Sequence, residues 1–517
     1  MRIAVTGLAL VLALAAPQGH AETHAQDTVA GLIAQAEKLD LTGDLQAAYD
    51  LSKKALTLAQ TGHDPVATGD ALASVCEQGT GMYDPGADTF CQQAYDQRLK
   101  TLGKDNFKTY ISEAELANLY LDSDAPRAVS LAQEAAENME RLAKTPDDWA
   151  QTATAYGMFG LALKYQGKFL DARAPFEKSI ALMRRPDAAP NVALASSLTD
   201  YADMDITLGD FDKAFDLASQ ALEVRAKLQA PDHPDVADTL GVAGDALRRM
   251  GRYDEAETYF QRALKISEAT DPPSPVILGR AYQNLGQIYM NTGRYAEAQT
   301  LQAKAVAMFQ PLGDKGQLLL SGAYYDLSNS YAYTGDTRLS LEAANNALDT
   351  ILKQKDRKFD RSLSYMTWIA NLKFKGGDYD GGKALIDEVL TTRLTASPTS
   401  SRTADALLLR ATMLYAKADY AGARADLDQA RTILKPLSPY SSAAIRIDSL
   451  LADTLLQQGD KTSDPSAYDL AIRAARGQAY VLTTMSRLQG ATGGLQTPSD
   501  RRAIFDTALD AAWTSTH

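Results

Sequence analysis

Gly167, Gly209, Gly251, Gly293, Gly335 and Gly377 recur at a fixed interval of 42, and each opens a similar segment. Five identical steps constrain the fold more than any other feature of the sequence. Such a chain stacks one small unit on the next, and neighbouring units bury a continuous core between them. With the turn residue as zero, eleven units follow: Gly43, Met82, Ser123, Gly167, Gly209, Gly251, Gly293, Gly335, Gly377, Ala418 and Gly459. The steps are 39, 41 and 44, then five of 42, then 41 and 41.

Two columns define the unit. Position +5 reads Ala48, Ala87, Ala128, Ala172, Ala214, Ala256, Ala298, Ser340, Gly382, Ala423 and Asp464. Position +12 reads Ala55, Ala94, Ala135, Ser179, Ala221, Ala263, Ala305, Ala347, Val389, Ala430 and Ala471. The two columns stand close to two helical turns apart, so both face one way, and small residues there let helices approach closely. Position +2 is often aromatic (Phe169, Phe211, Tyr253, Tyr295, Tyr379, Tyr420), which suits a plug between paired helices. Upstream of each turn, Leu285, Gly286 and Tyr289 recur at helical spacing, with counterparts Phe159, Gly160 and Leu163, then Ala243, Gly244 and Leu247, then Leu327, Ser328 and Tyr331. Each unit therefore reads as helix, tight turn, helix, and the turn glycine fits a left-handed helix terminus.

The Leu-Gly-x-x-Tyr pattern, the Gly-x-Tyr-x-x-Ala turn and the later alanine resemble tetratricopeptide repeats. The period of about 42 is similar to the longer variety found in kinesin light chains, as is the joint Ala230-Pro231-Asp232-His233-Pro234-Asp235-Val236-Ala237. The resemblance covers about residues 28 to 475 and implies an all-α fold, an α-solenoid of helix-turn-helix units wound as a right-handed superhelix. It also implies a protein or peptide partner. In such arrays the first helix of each unit lines the inner surface. The position six before the turn resembles the family's groove-facing polar site and reads Asp203, Asp245, Gln287, Asn329 and Asn371. Positions ten and two before the turn add Gln283, Tyr325 and Thr367, and Asn291, Tyr333 and Lys375, with Arg248 and Arg280 on the same face. Amides can bond a peptide backbone as donor and as acceptor. The cations raise the expectation of a ligand with acidic groups; the bland alternative is a solvated wall.

The N-terminal segment, Met1 to Ala21, differs. Arg2 is followed by the apolar run Leu8–Ala16, Pro17 breaks it, and Gly19-His20-Ala21 ends it with small residues. This predicts a secretory signal cleaved after Ala21, and with it an exported chain in the periplasm of a Gram-negative bacterium. The run is too short for a permanent membrane span, and no later apolar segment is long enough. Residues 22–475 form the repeat array and 476–517 a capping region. Within the latter, the helix from Asp500 to Trp513 resembles the segment before the caspase-like domain of bacterial TPR–CHAT proteins, which implies the sensing half of a protease system as an alternative role.

A net charge of −13 excludes the basic surface that nucleic acid demands. Cys76 and Cys91 flank the turn Gly79–Gly86. Antiparallel helices joined there would bring the two together, as a disulfide or as two small buried thiols. The histidines (His20, His24, His63, His233, His517) include no pair at metal-ligand spacing on one helix face, and no phosphate-binding glycine loop occurs. No catalytic, metal or cofactor site is read from the chain; the expected role is that of a non-catalytic scaffold, of oligomeric state unassigned.

Overall fold

The computed structural model describes residues 28–476 apart from 83, 85, 122, 189–190, 271–272, 435–441 and 459–468. The signal-like segment, the Asp500–Trp513 helix and the turn of the last unit, Gly459 with Asp464, lie outside the described residues. The chain divides into two compact parts, Met1–Asn284 and Leu285–His517.

Among the described residues the structure is helical throughout, without a strand. The first part runs α1 (Val29–Thr42), α2 (Leu45–Thr61), α3 (Pro65–Gly81), α4 (Ala87–Leu102), α5 (Phe107–Tyr120), α6 (Ala125–Leu142), α7 (Pro146–Tyr165), α8 (Phe169–Met183), α9 (Val192–Leu208), α10 (Phe211–Leu228), α11 (Pro234–Arg249) and α12 (Tyr253–Ala269). The division falls inside α13 (Pro275–Asn291). The second part continues with α14 (Tyr295–Phe309), a 3-10 segment (Gln310–Gly316), α15 (Gln317–Thr334), α16 (Thr337–Leu352), α17 (Asp360–Lys375), α18 (Tyr379–Ala396), α19 (Ser401–Ala416), α20 (Tyr420–Leu434) and α21 (Ser442–Gln457). Odd-numbered helices are the first of each unit and even-numbered helices the second.

Local chemistry sets the boundaries. Several first helices begin at a proline behind a capping side chain, as with Asp64-Pro65 and Thr145-Pro146, where proline's missing N–H costs nothing. Thr145 and Asp148 complete a reciprocal capping box. At the other end, Gly43, Gly167, Gly209, Gly251, Gly293, Gly335 and Gly377 all take φ between 78° and 90°, the left-handed conformation that only glycine adopts cheaply. Ala418 occupies the same station with φ 61°. Met82 departs from the pattern: its φ of −82° is right-handed, and the chain turns further on, through Asp84 and Gly86.

The small columns are where the helices meet. Every described member of the +12 column is at most 2% exposed, and the +5 column is buried as completely. At the first-helix glycines the approach is closer still: a Cβ on Gly244 would lie 2.7 Å from the Phe260 ring, and one on Gly160 2.9 Å from Phe176. The +2 aromatics are half-buried rather than central plugs. Tyr379 and Tyr420 pack edge-on to Phe374 and Tyr415 of their own first helices, with ring centroids 6.4 and 5.4 Å apart. Cys76 and Cys91 form a disulfide between α3 and α4, Cα atoms 4.8 Å apart.

Candidate binding face

In the second part the first helices α15 and α17 lie side by side. Tyr325 stacks on Tyr365 at 5.0 Å, and the Trp368 indole donates to Ser328 Oγ at 2.8 Å. The end of α13 reaches α15 through Gln287 Nε2, which donates to Asp326 at 3.3 Å. Gln287, Asn329 and Asn371 are each half-exposed between two buried neighbours. Asn329 Nδ2 donates to the Tyr325 carbonyl at 2.9 Å, and Thr367 Oγ1 to that of Leu363 at 2.8 Å. Tyr333, 42% exposed, stacks on Tyr295 at 4.8 Å; Asn291 is half-exposed and Lys375 exposed.

The first part repeats the phase with different chemistry. Asp203 and Asp245 are also half-exposed between buried neighbours, but both are ion-paired. Asp203 meets Lys164 of α7, and Asp245 accepts from Arg248 Nε at 2.8 Å. Arg280 of α13 bonds Asp238 of α11 at 3.1 Å, and Gln283 stands half-exposed beside it. Both arginines that suggested an acidic ligand are thus engaged by carboxylates. Burial pushes Asp200 up to about 7 and raises Asp238. At Asp203 burial acts the same way, but Lys164 and Arg280 outweigh it and hold the group below its ordinary value.

The ladder misses a second set of residues. An open cavity lies among α3, α5, α6 and α7, lined in part by Glu115, Gln151, Ile111, Met139 and Met158. On these first helices the position six before the turn is Cys76, Ala117 or Leu161, all buried, so the ladder stops short of them. The available signal was the carboxylate and amide interrupting an apolar helix stripe. Also missed is a column at +16, otherwise Ala, Met, Ser, Phe, Ile or Leu, where Arg98, Arg225 and Arg393 are 6%, 4% and 1% exposed. Each ties helices together: Arg98 to Asp70 at 3.0 Å, Arg225 to Asp235 at 2.8 Å, and Arg393 to Asp360 at 2.6 Å. His233, in the joint before α11, is 1% exposed and caps that helix, its Nδ1 accepting from the Asp235 amide at 3.1 Å.

Among the described residues no cluster of three His, Cys, Asp or Glu could hold a metal ion, and no helix is long and apolar enough to cross a membrane. Tetratricopeptide-repeat family profiles match residues 152–185, 193–269, 278–352 and 369–441, together about half of the chain. No curated protein matches. Among solved structures, BtubC (BKLC) from P. vanneervenii is 20% identical, with 46% of this chain and 94% of that chain covered, at a TM-score of 0.39. A Rap protein complexed with Competence and Sporulation Factor is 16% identical over 72% of this chain and 99% of that one, at a TM-score of 0.51. The apo form of RapI is 11% identical over 72% and 98%, also at 0.51. The two Rap likenesses place the fold among helical repeat arrays; with the repeat profiles and the left-handed glycine ladder, they make this chain a member of the tetratricopeptide-repeat proteins.

Proposed function

We propose that the chain is an exported, non-catalytic scaffold that holds a peptide or protein segment against the face formed by its first helices. The observation that carries this reading is the phase of Gln287, Asn329 and Asn371, each half-exposed between two buried residues. An extended segment laid across these helices would meet one amide per helix, each able to donate to and accept from a peptide backbone. Export draws support from the signal-like segment Met1 to Ala21 and from the Cys76–Cys91 disulfide, a bond that persists in oxidising compartments. The Rap protein complexed with Competence and Sporulation Factor is a relative in fold that holds a bound factor.

The test is site-specific photo-cross-linking. A benzoylphenylalanine is placed at Asn329 or Asn371 on the first helices and, separately, at exposed Asn346 on the second helix α16. The tagged protein is then irradiated in cells and the adducts identified by mass spectrometry. Adducts from the first-helix sites alone support the reading; adducts from Asn346 alone overturn it. Fractionation of the same cells, with the mature N-terminus read by mass spectrometry, decides export: an uncleaved cytoplasmic chain overturns that element.

A further inference from the structure

The cavity in the first part has a buried carboxylate in its wall. Both carboxylate oxygens of Glu115 are buried and neither is paired with a cation; the Ser112 hydroxyl is the one group beside them that lowers the charge penalty by hydrogen bonding, and the Oε1 of Gln151, a residue 4% exposed, has no partner. The hydroxyls of Thr80 and Thr154 donate to their own helix carbonyls, at Cys76 O (2.7 Å) and Ala150 O (3.2 Å), which leaves their lone pairs toward other partners. Glu115, Gln151 and the two threonines therefore offer acceptors. Glu77 and Asn118 also line it, and the rest of the wall is apolar, with Ile111, Met139 and Met158.

Arg98, the cation whose charge acts on Glu115, makes its hydrogen bonds to other groups. Arg98 of α4 directs Nη1 to Ser112 Oγ at 2.8 Å and to the Lys108 carbonyl at 3.2 Å, and Nη2 to Asp70 at 3.0 Å. Burial, the largest effect, pushes the Glu115 carboxyl up to about 7, while Arg98 and the Ser112 hydroxyl only temper that rise. A buried carboxylate without a cation in direct contact is unfavourable, and a ligand that brings donors and positive charge reduces that penalty. Methionine walls suit the alkyl stem that such a donor carries, because thioether side chains adapt to irregular shapes.

We propose that this cavity receives a lysine or arginine side chain of a bound segment, its charged head on Glu115 and Gln151 Oε1 and its stem against Ile111, Met139 and Met158. The inference rests on the reading that the first helices hold peptide segments, and it names one side chain that a segment on the first part presents. It differs from the acidic ligand suggested by Arg248 and Arg280.

The test uses the mature full-length protein and fluorescence anisotropy. The probe is a labelled pentapeptide, Ala-Leu-Arg-Leu-Ala with blocked ends, beside the same peptide carrying neutral citrulline for arginine. Binding of the arginine peptide at least tenfold tighter than the citrulline peptide is expected, with that preference lost in E115Q. A second variant, M158W, fills the cavity without touching the charge and should weaken the arginine peptide by a similar factor. Melting curves and circular dichroism establish that both variants are folded. Equal binding of the two peptides, an undiminished preference in folded E115Q, or no binding of the arginine peptide overturns the proposal. So does saturable binding of n-hexylamine without binding of the peptide, which would assign the cavity to free amines. Cross-linking at Asn371 is read independently: adducts there together with failed peptide discrimination sink the cavity assignment alone, whereas their absence removes the wider reading.

Discussion

The Nε2 of His233 donates a hydrogen bond to the main-chain carbonyl of Asp40 at 2.7 Å, joining residues 193 apart in sequence. Beside it the Ala230 amide donates to the Leu41 carbonyl at 3.2 Å. The C-terminus of α1, whose last carbonyls also accept from the Gly43 and Asp44 amides, is thus tied further by the joint before α11. His233→Ala removes one buried bond, while the Asp40 carbonyl keeps the Gly43 amide at 2.9 Å, a loss of about 0.5–1.5 kcal/mol. Hydrogen exchange should show faster exchange of the α1 amides in this variant, with those of α17 and α19 unchanged.

Acidity should stabilise the first part. Burial pushes Glu37, Asp40, Glu113, Glu115 and Asp200 each up to about 7, from ordinary values near 4. Between pH 4 and 7 the folded chain therefore holds more protons than the unfolded chain, and stability falls as pH rises through the folded values. The melting temperature of the first part should be higher at pH 5.5 than at pH 8. Asp200→Asn and Glu115→Gln should each flatten that slope. A midpoint that rises between these pH values would contradict this account.

Ala418 holds a left-handed φ of 61° at a station where the regular units carry glycine. An L side chain there costs roughly 1–2 kcal/mol, part of which glycine returns as unfolded-state entropy. Ala418→Gly should raise stability by about 0.5–1 kcal/mol, measured by urea denaturation. Gly377→Ala, at φ 90°, should lower it by at least as much.

Arg225 is 4% exposed and bonds Asp235, Gln229 Oε1 at 2.7 Å and Thr239 Oγ1 at 2.9 Å. Removing one partner of such a buried pair strands the other, so Arg225→Ala should cost about 3–5 kcal/mol. The double variant Arg225→Met with Asp235→Asn should recover part of this loss in thermal melts.

The Cys76–Cys91 bridge closes a loop of 15 residues. In the chain-entropy account this contributes about 3 kcal/mol. The double serine variant, or reduction with a thiol, should lower the denaturation midpoint of the first part by a corresponding amount.

Much of the unit was legible in the sequence because its determinants are local and repeated. A glycine at a fixed interval specifies a left-handed helix end wherever it occurs, and alanines two helical turns apart specify one close-packed stripe. The ladder and the two small columns accordingly reappear as φ values and buried surfaces. The disulfide was legible too, since a turn between antiparallel helices brings its flanks together. The ladder of Asp203, Asp245, Gln287, Asn329 and Asn371 is phased by the same repeat, and each member emerges between buried neighbours.

What those side chains meet was decided by tertiary structure. Whether Arg280 faces solvent or Asp238, one full repeat earlier in the chain, depends on how adjacent first helices are rotated, which periodicity does not encode. Glu115 and Gln151 enclose a cavity only because α5 and α7 stand on either side of it. His233 reaches Asp40 only after the small rotations of the intervening repeats have accumulated. Sequence by itself determined the unit, its period and its packing stripe, which are set by contacts a few positions apart. The ion pairs, the cavity and the His233–Asp40 bond belong to the stacked structure, where residues far apart in the chain are brought within a few ångströms.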